Sequence, residues 1–325
     1  MLSRRDLARI SSVVTAAFAL RRKEAALFAT EKLESTVRGV KLGLITGSIS
    51  AGGRGARGPA QPLTVDAIID ACQAVGAANV EYSGPTVGMP TLVDGVIGQP
   101  PAVLTDAYRQ SREAVRQWRL SAPLEPFREA RSKFNAAGLN WFSGVNTIPE
   151  DSTDAEIDAL FRQMAAMQVK IFCTNQTRMS TAPRLVPFAE KYGIMPAFHT
   201  HDKYEDPNEV ASAESLVKLM AMSPLFRINL DIGHFTAGNQ DAPAFIEAHY
   251  DRITHLHVKD RKRNHGPNVA WGTGDTPIVQ CLRLIRDRRY QIYDIVEREY
   301  RGSNDGTPVE ETKKCMQYMI DALNS

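Results

Sequence analysis

Cysteine is scarce and scattered in this chain. Cys72, Cys173, Cys281 and Cys315 include no Cys-x-x-Cys pair, which argues against a thiolate zinc site and against a disulfide framework. Net charge is nearly absent as well. Lys and Arg number 39 against 37 Asp and Glu, so the chain lacks the basic footprint of a nucleic-acid binder. The apolar stretch Ile10 to Leu20 falls short of the roughly 20 residues that a membrane-spanning helix needs. The Gly-rich run Gly52 to Gly58 has no Lys-Ser/Thr after it, which argues for a surface loop rather than a phosphate-binding turn.

What the chain does have is length and apolar content. Its 325 residues, 43% of them hydrophobic, suit one large barrel behind an N-terminal extension. The extension is read as residues 1–38 and the barrel as 39–325. Ser3-Arg-Arg-Asp-Leu-Ala-Arg9 resembles a twin-arginine export signal, although Arg21-Arg-Lys23 stands where a small-residue cleavage site belongs. A periplasmic protein is one expectation. A cytoplasmic protein with an amphipathic N-terminal helix is the other.

Eight strand-like runs alternate with helical ones. The strands begin with Val40–Thr46, Ala78–Tyr82, Leu139–Ser143, Val169–Cys173 and Ile194–Phe198. Three more start at Phe226, Ile253 and Ile292. Thr64 caps a helix with apolar residues at Ile68, Ile69, Cys72 and Val75, and Gly76 helps to end it. A long Pro- and Gly-rich insertion runs from Ser83 to about Ala102. The helical stretch Leu104–Ala137 is interrupted near Pro123 and Pro126. Asp151 and Thr153 are N-cap candidates for a helix through Ala166, and Gly193 closes Ala182–Tyr192. Further helices are expected at Ser212–Met222, Ala242–Tyr250, Ile278–Arg288 and Val309–Leu323. Strict alternation of this kind predicts a closed (β/α)8 TIM barrel, with an open doubly wound sheet as the alternative.

Five of the seven histidines, His199, His201, His234, His255 and His257, fall near the ends of three successive strands. Asp231, Lys259 and Glu297 fall in the same setting, and active sites of such barrels gather at those ends. Alternation along a strand puts His199 with His201 on one face, and His255, His257 and Lys259 on another. Imidazole and carboxylate together suit one divalent transition metal, Mn, Co, Zn, Fe or Ni.

Asp231-Ile-Gly-His234, His255-Leu-His-Val-Lys-Asp260, Trp271-Gly-Thr-Gly-Asp275 and Glu297 resemble the sugar phosphate isomerase/epimerase superfamily of xylose-isomerase-like barrels. The resemblance covers most of the chain from about residue 40 and implies metal ligation by Asp231, His257 and Glu297. The fourth ligand of sugar epimerases is a Glu at the end of strand five, and His199 holds that position here. In those enzymes the strand-five and strand-eight carboxylates shuttle the proton, so this substitution puts the two-carboxylate mechanism in question. A metal site with two His and two carboxylates could still polarise a carbonyl. Proton transfer beside that carbonyl would then fall to Glu297, His201, His255, Lys259 or Glu81. Isomerisation or epimerisation of a sugar is the first expectation. Elimination on keto-sugars or oxidised glycosides, as in the inosose dehydratases with their His-rich strand five, is the second.

Sugar binding is expected from Glu81 and His234, from stacking on Trp141, Phe142, Phe235 or Trp271, and from hydrogen bonds by Asn175, Arg261 and Asn268. The Asp-x-x-His pair also resembles apurinic-site endonucleases. Those use His on strands two and three, where this chain has Glu81 and Trp141. A non-catalytic sugar-binding barrel is a third possibility. The expected partner is a small carbohydrate, with no nucleic acid and no stable membrane span, and a homo-oligomer is left open.

Overall fold

The computed structural model describes residues 33–50, 63–83, 89–90, 92–93, 100–175, 177–300 and 306–325. The twin-arginine stretch, the Gly-rich run and most of the insertion after Ser83 lie outside those residues.

Eight parallel strands close on themselves: β1 (Val40–Ile45), β2 (Asn79–Tyr82), β3 (Asn140–Thr147), β4 (Ile171–Asn175), β5 (Met195–His199), β6 (Arg227–Asp231), β7 (Ile253–Val258) and β8 (Tyr293–Val296). Each pairs with the next, and β1 pairs with β8. The TIM barrel expected from the alternation is therefore the fold found. The compact body starts at Leu33, slightly ahead of residue 39. Thr36–Val37 forms a short antiparallel lead-in that folds back on β1 through Arg38 and Gly39.

Ten α-helices are described around the barrel: α1 (Val65–Val75), α2 (Asp106–Ser121), α3 (Glu125–Ala136), α4 (Asp154–Ala166), α5 (Val186–Tyr192), α6 (Ala213–Met222), α7 (Ile232–Ala237), α8 (Ala242–His249), α9 (Ile278–Arg288) and α10 (Pro308–Asn324). Hydroxyl caps start several of them. Thr64, Thr153 and Ser212 each accept the backbone N–H three residues on, satisfying one of the donors a helix start leaves open. Of the two cap candidates for α4, Thr153 is the one that caps. Gly76 and Gly193 end α1 and α5 in the left-handed conformation that costs glycine nothing.

Packing divides into the barrel interior and the layer between strands and helices. Leu42, Val80, Phe172, Phe198, Leu230, Leu256 and Val296 face outward into that layer and are fully or almost fully buried there. One polar cluster shares it. Glu156 of α4 accepts hydrogen bonds from Arg112 (2.9 Å) and Arg119 (2.8 Å) of α2, and both Glu156 and Arg119 are fully buried. Burial opposes the charge of Glu156, but the two guanidiniums outweigh it and hold the carboxyl below its usual range. Among the described residues, no helix is long and apolar enough to cross a membrane.

Candidate metal centre

His199 and Asp231 are the last residues of β5 and β6, His257 lies one residue from the end of β7, and Glu297 follows β8. Register aligns them. Asp231 stands opposite His257, and Glu297 donates its N–H to Val258 O at 2.9 Å. One ligand atom from each of His199, Asp231, His257 and Glu297 comes within 4.8 Å of the others. His199 Nε2 lies 3.8 Å from Asp231 Oδ2, and His257 Nδ1 lies 3.1 Å from Glu297 Oε2.

A cation already sits among these carboxylates. Lys259 Nζ is 2.6 Å from Asp231, 2.9 Å from Glu297 and 2.7 Å from Glu299. Its passage there depends on Gly233, where an added Cβ would stand 2.4 Å from Lys259 Cγ. Burial works against the ammonium, but the three carboxylates outweigh it and hold its pKa above the usual lysine value. Burial and repulsion from His257 and His201 keep His199 well below the ordinary imidazole range, so its ring is neutral and offers a lone pair. Glu297 is ionised, because Lys259 and His257 overcome its burial. Asp231 is pushed up to about 7 by burial, against the pull of Lys259 and with help from Glu297. His257 lies between Glu297 and Glu81, which override its burial and raise it to about 10.

Beside this cluster stands a dyad. His201 Nδ1 is 3.0 Å from Glu209 Oε1, and Arg178 donates to Glu209 Oε2 at 2.5 Å. The far nitrogen of His201, Nε2, is buried and has no hydrogen-bond partner. The His201 ring lies 4.8 Å from that of His199 and 5.5 Å from that of His234. Sequence reasoning missed Glu209, since it sits on an irregular loop eight residues past His201 with no period to mark it. It also missed Asp202, which lies 3.3 Å from His234 Nδ1 and 2.9 Å from Arg261, and Thr200, whose hydroxyl accepts the Asp231 N–H at 2.9 Å.

Several sequence expectations need correction. Trp141 faces the helices, packed between Tyr82 and Phe134 at 4.8 Å from each, so it offers no sugar a surface. Phe142 stacks on Tyr293 inside the barrel, and Phe235 packs on Phe245 in the core. Trp271 sets its edge on Tyr318 of α10 and anchors its loop there. Arg261 is committed to His234 Nδ1 (2.6 Å), Asp202 and Gly266 O, so it holds His234 instead of reaching for hydroxyls. Lys259 is a charged ammonium, not a base. His255 and Glu81 have no solvent exposure and bond to each other at 3.0 Å, so neither is open to a substrate. His234 and Asn175 remain at the site. His234 Nε2 lies 3.7 Å from Asp231 Oδ2, and Asn175 keeps a buried Oδ1 with no hydrogen-bond partner.

A divalent metal fits the cluster. Two imidazoles and two carboxylates converge, His257 Nδ1 makes no hydrogen bond of ordinary geometry, and the carboxylates already gather about a positive charge. Residues 178–321, which include all four clustered side chains, match the family model of the xylose isomerase-like TIM barrel. The inosose dehydratase of Lactiplantibacillus plantarum is 33% identical over 154 residues, covering 42% of this chain and 50% of that protein. The chain spans about half the length of the curated relatives it matches. Among solved structures, the 3-keto-D-glucoside 4-epimerase of E. coli superposes with a TM-score of 0.58 at 12% identity, covering 86% of this chain and 99% of that one. The IOLI protein with a bound zinc atom gives 0.58 at 13% identity, covering 88% and 98%. At such identities the likeness to solved structures speaks for the fold.

Proposed function

We propose that this chain is a divalent-metal-dependent enzyme that takes a proton from the carbon beside the carbonyl of a sugar or sugar-derived ketone, and that loss of a hydroxyl group as water follows. The observation that carries the reading is the convergence of His199, Asp231, His257 and Glu297 next to the His201–Glu209 dyad. His199, Asp231, His257 and Glu297 would hold the ion, with Mn, Co, Zn, Fe and Ni as candidates. When bound, the ion supplies Lewis acidity at the carbonyl oxygen.

The chain's own groups supply the proton chemistry. Elimination needs one group to accept the carbon-bound proton and one to protonate the departing hydroxyl. Glu297 is ionised and suited to accept. His201 presents its unpartnered Nε2 beside the cluster, while Glu209 holds the other nitrogen and fixes the ring. His234, oriented by Arg261 and Asp202, and Asn175 are placed to hold hydroxyls. The relatives' name, inosose dehydratase, supports elimination, and so does the imidazole at the end of β5, where a two-carboxylate shuttle would need a Glu.

Epimerisation is the second reading. It is favoured by Asp231, a carboxyl poised near 7 beside the ionised Glu297. The test is a panel of inososes, free keto-sugars and oxidised glycosides incubated in deuterated water with each candidate metal. The proposal expects deuterium at the carbon beside the carbonyl and a product lighter by one water. Exchange with an epimer and no loss of water would favour the second reading. Turnover of none of these ketones, with no exchange, would sink both.

A further inference from the structure

We propose that Glu81 is a positioning residue that sets the tautomer of His257 and so presents Nδ1 as the ligating atom. The inference rests on the metal-dependent reading above and assigns a role to a carboxylate outside the four ligands.

Glu81 lies in β2, where a register shift sets it against Ser143 of β3. Its two oxygens divide their work. Oε1 accepts from Ser143 Oγ at 3.1 Å and faces His255 Nε2 at 3.0 Å. Oε2 faces His257 Nε2 in a close contact. A hydroxyl and two imidazole nitrogens converge on the Glu81 carboxylate, which accepts from all three, so each facing nitrogen carries its hydrogen.

Consequences follow for both rings. His255, protonated on Nε2 and neutral, has a lone pair on Nδ1, and Thr254 Oγ1 lies 2.8 Å from it, able to donate. His257, its Nε2 hydrogen held by Glu81, turns Nδ1 toward Glu297 and the cluster, so Nδ1 is the nitrogen that gives up its hydrogen when an ion binds. A carboxylate on the far nitrogen of a ligating histidine fixes the ring and raises its basicity. Glu81, His255 and His257 also converge closely enough to suggest a second ion. Against that, an ion there would claim Nε2 of both rings, while Ser143 and the two imidazoles already satisfy the carboxylate.

The test titrates Mn2+ into wild type, Glu81→Gln and Glu81→Ala by calorimetry, counting ions per chain. Nitrogen-15 spectra of the histidines, taken after chelator dialysis, report the tautomers. The expected result is one ion per wild-type chain and affinity weakened about 10- to 100-fold in Glu81→Gln. As pH is raised, His257 should give up its Nδ1 hydrogen and keep that on Nε2 in wild type, and lose that preference in the variants. Glu81→Gln keeps the side chain's size, so it carries the test if the alanine variant does not fold. Unchanged affinity and tautomer in folded Glu81→Gln would overturn the proposal. So would two ions per wild-type chain with one lost in that variant, since Glu81 would then be a ligand. If wild type binds no Mn2+, the metal reading fails, and the tautomer spectra still decide what Glu81 does.

Discussion

Glu81 and Asp294 are both fully buried, yet they sit on opposite sides of the barrel wall and meet opposite fates. Glu81 points inward and is surrounded by Ser143, His255 and His257, which keep it ionised. Asp294 points outward from β8 toward α9, near Cys281. Neither oxygen of Asp294 has a hydrogen-bond partner, and burial alone pushes its pKa well up, so it is a neutral acid. Glu156, buried in the helix layer, is ionised because arginines surround it. Burial is common to all three. The donors around a carboxylate decide its charge, and only the inward group touches a ring that faces the candidate centre.

The largest expected effect tests whether the interior donors serve chemistry. His201→Ala should retain Mn2+ and slow turnover of the active ketone by about 100- to 10,000-fold. Calorimetry beside steady-state rates checks this, and lost metal binding would mean that His201 is a ligand. The helix-layer carboxylate should behave in the opposite way. Glu156→Gln leaves Arg119 buried without its charge partner and should cost about 3–5 kcal/mol in urea unfolding, with Mn2+ affinity unchanged.

Two smaller effects run in opposite directions with pH. Asp294 has a folded pKa raised above its unfolded value, so its contribution to stability is complete below about pH 4 and is lost as pH rises toward the folded value. Over that window the single group accounts for a slope of up to about 1.4 kcal/mol per pH unit. Asp294→Asn should remove that slope in urea melts from pH 4 to 8, and parallel curves would show that the group is not buried as an acid. Metal binding should show the reverse trend. Protons on His257 and on Asp231 must leave before the two ligate, so Mn2+ affinity should fall as pH drops, by up to about tenfold per unit below about 10 and up to about a hundredfold per unit below about 7. Titrations at pH 5.5, 6.5 and 7.5 check the sign.

Much of this was legible in the sequence, and the exceptions have physical causes. The strands and most helices announce themselves through period, caps and closing glycines. Helix α7 does not, because Ile232-Gly-His-Phe235 reads as a continuation of an apolar strand, and only the Asp231 side chain accepting the His234 N–H turns it helical. The four clustered residues were visible because the motifs around them resemble a family whose metal ligands stand at those strand ends. The part of Glu81 was not, since it depends on a register shift between β2 and β3 that no local pattern encodes. Trp141 misled for a related reason. A tryptophan near a strand end can face either side of the wall, and sequence alone does not say which. Glu209 and Asp202 came from loop geometry.

Asp231 uses its two oxygens for different tasks, and this has a practical outcome. Oδ1 accepts the His234 N–H at 2.7 Å and starts α7, while Oδ2 faces Lys259 and His199. Whatever engages Oδ2 therefore also steadies the first turn of the helix that carries His234. Occupancy and folding are thermodynamically linked through one side chain, and a ligand at a hundred times its dissociation constant adds about 2.7 kcal/mol to stability. Melting temperature thus becomes a reporter of occupancy, and a panel of ions can be ranked by thermal shift before any substrate is known.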